Sequence, residues 1–255
     1  MAGKAIWIGY VNFGSVNLRV KLHGAINEER IQFHLLHRRD RVKLRQQMVC
    51  AFEKKPVAAE AQVKGFEVEE GKYIIVDPDE LEQALPESSR LIEVHEFVKK
   101  EEIDPVCFDR AYYLAPDADS KGYGALVDAV KEAGVEGICT WTMRRRSWLG
   151  ALGVSGKILV LQSLRYADEI VPVQTLEIKD VPVSEKELRI GNSLIEQLTV
   201  PFQPQKFTNE HQRRLRDLID RKARGEKIAI LRPVRRKPTS PDRLLEALEA
   251  SLKVA

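Results

Sequence analysis

Residues 16–23 read Val-Asn-Leu-Arg-Val-Lys-Leu-His, an alternation that sends Val16, Leu18, Val20 and Leu22 to one side and Asn17, Arg19, Lys21 and His23 to the other. A period of two fits only an extended strand with one dry and one wet face. Ile31, Phe33 and Leu35 alternate with Gln32 and His34 in the same way, and Val42 and Leu44 are flanked by Arg41, Lys43 and Arg45. Further strands are expected over residues 73–76, 91–98, 112–114, 138–143 and 158–164. Strands this short and this closely spaced are stable when their edges are paired off, which predicts a mainly β fold with some helix, built as a closed or nearly closed barrel with peripheral helices.

Two helices punctuate the strands. Asp77-Pro78-Asp79-Glu80 supplies a cap, a first-turn proline and a glutamate at the capping-box position ahead of Leu81. Residues 123–133 form the second, which Gly134 stops. Past Ile170 the period changes. Pro172 and Pro182 bracket a connection, Ser184 and Glu187 form a capping box, and Leu188, Leu194, Ile195 and Leu198 give an apolar stripe at helical spacing. A Pro201–Pro204 turn leads to a helix over 208–224 with Leu215, Leu218 and Ile219 expected to be buried and Gly225 at its end. Residues 233–241 read as a basic, flexible linker. Ser240-Pro241-Asp242 then caps a short amphipathic helix with Leu244, Leu245, Leu248 and Leu252 on one face. The expected division is a barrel region over 1–170, a helical arm over 171–230, and a linker with the terminal helix over 231–255.

Net charge is only +3, so its distribution matters more than its total. Residues 34–47 carry Arg38, Arg39, Arg41, Lys43 and Arg45 against Asp40 alone, whereas 60–104 hold fourteen acids and five bases. Positive charge returns at Arg144-Arg145-Arg146, across 213–224, and at Arg232, Arg235, Arg236 and Lys237. Gathered charge of this kind gives a near-neutral chain a positive face. Cys50, Cys107 and Cys139 stand far apart with no Cys-x-x-Cys pair, as expected of reduced thiols. No apolar run approaches a membrane span, and the N-terminus has no signal-peptide pattern, so the expected location is the cytoplasm.

Catalytic motifs fail on spacing. His34-x-x-His37 suits a metal-binding helix but lies in strand-period sequence, which sends the two rings to opposite faces. Gly153-Val154-Ser155-Gly156-Lys157 approximates a phosphate loop, yet Ala151 stands at the first glycine position and Ile158 where a magnesium-binding hydroxyl belongs. There is no Gly-x-Ser-x-Gly, and no cysteine has a base beside it in sequence. The expectation is a protein with no catalytic residues, no metal and no cofactor.

Backbone binding to nucleic acid fits better. On a strand, Arg41, Lys43 and Arg45 share a face at a spacing of about 6.6 Å, close to the separation of successive phosphates. Contacts of that kind recognise charge and carry no base sequence. Read from physics alone, the chain is a β-rich protein that binds nucleic-acid backbone.

A resemblance carries the reading further. Ala5-Ile6-Trp7, Val11-Asn12-Phe13-Gly14-Ser15-Val16-Asn17 and Val20-Lys21-Leu22 are similar to the start of the bacterial Ku core barrel. Phe33-His34-x-Leu36-His37, Val63-Lys64-Gly65-Phe66-Glu67 and Glu102-Ile103-Asp104-Pro105 continue in the same order. The most specific blocks are Tyr112-Tyr113-Leu114-Ala115-Pro116-Asp117 and Leu164-Arg165-Tyr166-Ala167-Asp168-Glu169, followed by Ser184-Glu185-Lys186-Glu187-Leu188 and Pro201-Phe202-x-Pro204. The resemblance covers nearly the whole chain.

It implies a Ku core β-barrel with an extended bridge, a helical C-terminal arm and a short terminal helix. It also implies a homodimeric ring that threads onto double-stranded DNA ends without sequence preference, protects and bridges them, and recruits a DNA ligase for end joining. Arg38, Arg39, Arg41, Lys43, Arg45, Lys64, Arg144, Arg145 and Arg146 are the positions expected on the DNA path. Leu244, Leu245, Leu248 and Leu252 are expected to meet an ATP-dependent ligase of the ligase D type. The expected site of action is the nucleoid, within the cytoplasm. The long lysine-rich tail of many family members has no counterpart before Ala255, so the ring alone is expected to hold the DNA. Two other readings stay open: a general nucleic-acid chaperone, and a lyase that processes DNA ends.

Overall fold

The computed structural model describes residues 4–28, 30–87, 89–117, 120–177 and 182–226. They fall into two compact units, Met1–Glu29 with Phe33–Val173, and Arg30–Gln32 with Gln174–Ala255.

The first unit is built on β1 (Trp7–Phe13), β2 (Val16–Gly24), β3 (Lys64–Glu69), β4 (Lys72–Val76), α1 (Pro78–Gln83), β5 (Leu91–Lys99), β6 (Phe108–Pro116), α2 (Ser120–Ala133), β7 (Val135–Met143), β8 (Arg146–Ser155) and β9 (Ile158–Leu164). Seven strands close a barrel in the order β1-β2-β6-β9-β8-β7-β5. Six of its seams are antiparallel, and the last is a parallel pairing of Tyr10 with Leu91, Val11 with Ile92 and Asn12 with Glu93. Closure leaves no unpaired edge in the barrel, as the crowd of short strands requires.

The alternation that opened the sequence becomes the barrel wall. Leu18, Val20 and Leu22 are buried, and Val16, at the hairpin end, is not. They join Val11, Ile92, Leu114, Leu152, Leu159 and Leu161 in one core. Each such side chain contributes about 1.5–3 kcal/mol through removal from water. Helix α2 adds Tyr123, Leu126, Val127 and Val130 to the core, and ends where Gly134 takes φ +65°. It starts three residues before the expected 123, at Ser120. Trp141 stacks on Trp148 at 6.3 Å and lies across Gly150, where a Cβ would stand 2.5 Å from the indole. Glycine at 150 makes room for that ring.

Sequence period found most of the strands and missed β1, β3 and β8. Strand β8 is Arg-Ser-Trp-Leu-Gly-Ala-Leu-Gly-Val-Ser, in which two glycines, an alanine and two serines dilute the β signal that packing between β7 and β9 overrides. The Gly153–Lys157 stretch is the end of β8 and its hairpin turn, with Gly156 at φ +64°.

Two expected strands are absent. Residues 30–35 form no strand, and 41–45 make only the isolated bridge Leu36↔Lys43. Phe33, Leu35, Val42 and Leu44 alternate correctly, but nothing buries them: all four are exposed. Alternation needs a surface to pack on before it yields a ladder. Strands β3 and β4 pair as a separate two-stranded sheet.

The second unit carries α3 (Glu185–Leu198) and α4 (Glu210–Ala223). The capping box at α3 is in place: the Glu187 N–H donates to Ser184 Oγ at 3.3 Å and the Ser184 N–H to the Glu187 carboxylate at 2.8 Å. No residue of either helix is buried. Leu215 and Leu218 are half-buried and Ile219 exposed, which corrects the expectation that these three lie in a core. Residues 227–255, with the basic linker and Leu244, Leu245, Leu248 and Leu252, lie outside the described residues.

Candidate nucleic-acid interface

Ahead of β3, residues 33–63 of the first unit form an irregular ribbon with two tight turns. In the first, the His37 N–H donates to Val42 O at 2.8 Å, the Arg41 N–H to His37 O at 2.8 Å, and the Leu44 N–H to Leu35 O at 2.9 Å. The second repeats the pattern. The Cys50 N–H donates to Lys55 O, and the Lys54 N–H to Cys50 O, both at 2.9 Å. Asp40 organises the first turn by accepting the Val42 N–H at 3.0 Å and meeting His37 Nδ1 at 2.9 Å. The Val42 N–H chiefly, and His37 after it, hold its carboxyl below the usual carboxylate range.

This geometry corrects the three-residue row expected on one strand face. Arg41 is the turn residue, at φ +60°, so it sits at the tip with Arg38 and Arg39, and only Lys43 and Arg45 follow along the returning arm. All five are exposed, and none makes an ion pair among the described residues. A cluster of uncompensated cations on an extended ribbon can reach a polyanion without first breaking internal pairs.

The structure brings Lys64 and Arg145 together. Both line a cavity of about 300 Å³ with Glu82 and Leu81, where Arg145 Nη2 meets Glu82 Oε1 at 2.6 Å. Arg144 and Arg145 are the two-residue turn between β7 and β8, at φ +53° and +64°. Arg146 opens β8, paired with Met143. All three arginines are exposed.

Other cations were not singled out from sequence as site residues. Arg19 and Lys21 stand on the wet face of β2, and Asp117 bridges them, 2.8 Å from Arg19 Nε and in contact with Lys21 Nζ. Their alternation was the available signal; the neutralising aspartate, distant in sequence, was not readable. Lys54 and Lys55 close the second ribbon turn.

Cys139 is fully buried, which pushes its thiol up to about 12. Cys50 is half-buried, with a thiol lowered by the backbone N–H groups of Glu53 and Phe52. Among the described residues no three His, Cys, Asp or Glu side chains group as metal ligands, and no helix is long and apolar enough to cross a membrane.

A closed seven-stranded barrel with a long ribbon inserted between its second strand and a separate hairpin defines a class of barrel domain. The family model described as the Ku70/Ku80 beta-barrel domain matches residues 12–190. The chain belongs to the Ku family. It is 67% identical over 253 residues, 99% of either chain, to a protein of Geotalea uraniireducens named non-homologous end joining protein Ku 2. Relatives named non-homologous end joining protein Ku are 33% identical in Solibacter usitatus, across 98% of this chain and 93% of theirs, and 37% identical in an Anaeromyxobacter species, across 99% and 86%.

Proposed function

We propose that this chain acts in non-homologous end joining as a homodimeric ring that binds double-stranded DNA ends, protects and bridges them, and recruits an ATP-dependent DNA ligase, with no catalytic step of its own. The observation that carries the reading is the ribbon. It presents Arg38, Arg39, Arg41, Lys43 and Arg45 without ion pairs among the described residues, on a backbone with no rigid element to enter a groove and read bases. Charge without base readout suits a ligand defined by its end.

A second copy is favoured by apolar surface left uncovered in each unit taken alone. On the β3–β4 sheet, Phe66, Tyr73 and Ile75 are more than 60% exposed, and on α3 Ile195 is 65% exposed. Surfaces of this kind mark association sites. The ligase contact is assigned to Leu244, Leu245, Leu248 and Leu252, whose spacing suits a helix laid in a partner's groove.

Competition between linear duplex and covalently closed circles of the same sequence tests the reading. Linear DNA is expected to compete and closed circles to fail. Equal competition would place the chain among general nucleic-acid chaperones. Strand scission on addition of protein would place it among end-processing enzymes.

A further inference from the structure

Nine described residues have φ in the left-handed region. Five are glycines (Gly14, Gly71, Gly134, Gly156 and Gly225), and the other four are Arg41, Lys54, Arg144 and Arg145. A side chain at such a position crowds the following carbonyl, so glycine or asparagine is the usual occupant. The chain places glycine there five times, yet each exception is basic. Lys and Arg are only 41 of its 255 residues, so composition does not account for four in four.

The exceptions also share a place. Arg41 and Lys54 occupy equivalent positions in the two ribbon turns, each donating its N–H to the carbonyl four residues back. Arg144 and Arg145 fill both central positions of a tight hairpin turn, where Asn-Gly is strongly preferred. All four side chains are exposed, so no packing holds them there. Only Arg145 has an ion-pair partner among the described residues.

We infer that these three hairpin tips are phosphate-contact points at which positive charge is kept at the expense of backbone stability, and that Lys54 therefore belongs to the nucleic-acid interface. This rests on the duplex-binding reading above. Strained backbone persists at functional sites when the side chain it carries is needed. A hairpin tip also presents its charge beyond the surrounding surface, where it meets a polyanion early.

The test is the double change Arg144→Asn with Arg145→Gly, the Asn-Gly pair that this turn favours, alongside Lys54→Gly. Each is measured twice, by chemical denaturation and by the salt dependence of binding to a blunt-ended linear duplex. The Asn-Gly chain is expected to be more stable, with a folding constant raised about threefold to tenfold, since lost strain outweighs one exposed ion pair. Its binding is expected to weaken, with a log–log salt slope reduced by about two for each substituted position, since the proposed ring holds two copies, and Lys54→Gly by about two. An unchanged or lowered stability of the Asn-Gly chain overturns the inference. So does a parent chain that binds duplex while both variants match its affinity and slope. A parent chain that binds no duplex removes the underlying reading instead, whatever the stabilities show.

Discussion

The hydroxyl of Tyr123 accepts a hydrogen bond from the Leu159 N–H at 2.8 Å and donates to Leu114 O at 2.5 Å, so one buried side chain of α2 ties β9 to β6. Leu114 and Leu159 are themselves register partners and both lie fully in the core. The phenol is thus a cross-link between the helix and the barrel seam.

Tyr123→Phe keeps the ring and leaves a buried N–H and a buried carbonyl without that partner. The expected loss is about 1–3 kcal/mol, read as a lower midpoint in denaturant with an unchanged slope. A loss well under that range would mean that the seam satisfies both groups by itself.

Two carboxyl groups set opposite pH trends. Glu136 is 5% exposed, and its Oε2 has no hydrogen-bond partner among the described residues. Burial raises it above the ordinary carboxyl range, against a smaller opposing pull from Lys100. A raised carboxyl binds its proton more tightly when folded, so its contribution is present at acid pH and lost as pH rises through the folded value. Asp117 is lowered, first by the Lys21 hydrogen bond and also by the charges of Lys21 and Arg19. Its contribution is present above the ordinary range and lost as pH falls through the folded value. Glu136→Gln is therefore expected to gain on the parent as pH rises from the ordinary carboxyl range, and Asp117→Asn to lose least at acid pH. Stability differences that run parallel to the parent at every pH would contradict both assignments.

Gly153 explains how Glu136 is accommodated. A Cβ there would stand 3.1 Å from Glu136 Oε1. Gly153→Ala is expected to cost about 1–3 kcal/mol through overpacking, and Glu136→Ala in the same chain to recover part of it. Additive costs in the double variant would show that the two residues do not press on one another.

Reversing Arg41, Lys43 and Arg45 to glutamate is expected to abolish duplex binding at physiological salt while leaving thermal stability unchanged, because none of the three is buried or ion-paired among the described residues. Neutralising them to glutamine removes three charges from each subunit of the proposed homodimeric ring and should lower the log–log salt slope by about five. Unchanged affinity and slope would move the DNA path off the ribbon.

Barrel strands were legible where a strand lies half-buried, as at Leu18, Val20 and Leu22, because period and burial there say the same thing. The ribbon deceived the same rule. Phe33, Leu35, Val42 and Leu44 alternate without a core beneath them, so they promised strands that the chain does not form. Strand β8 failed in the other direction, since its small residues owe their extended form to β7 and β9 on either side. Closure through the parallel β1–β5 seam joins residues some 80 apart, as Tyr10 with Leu91, and no local pattern announces it. At the site, charge clusters were visible, but the backbone at Arg41, Arg144 and Arg145 and the pairing of Arg145 with Glu82 depend on turns and on distant residues.

Topological capture of a DNA end is the central claim, and end-blocking after loading tests it most directly. The chain is loaded on linear duplex, both ends are then sealed with a bulky tethered protein, and dissociation is followed after a jump to high salt. A threaded ring predicts that sealed complexes outlast open-ended ones by at least an order of magnitude, because phosphate contacts weaken with salt while the ring stays closed. Equal lifetimes on sealed and open duplex would contradict threading.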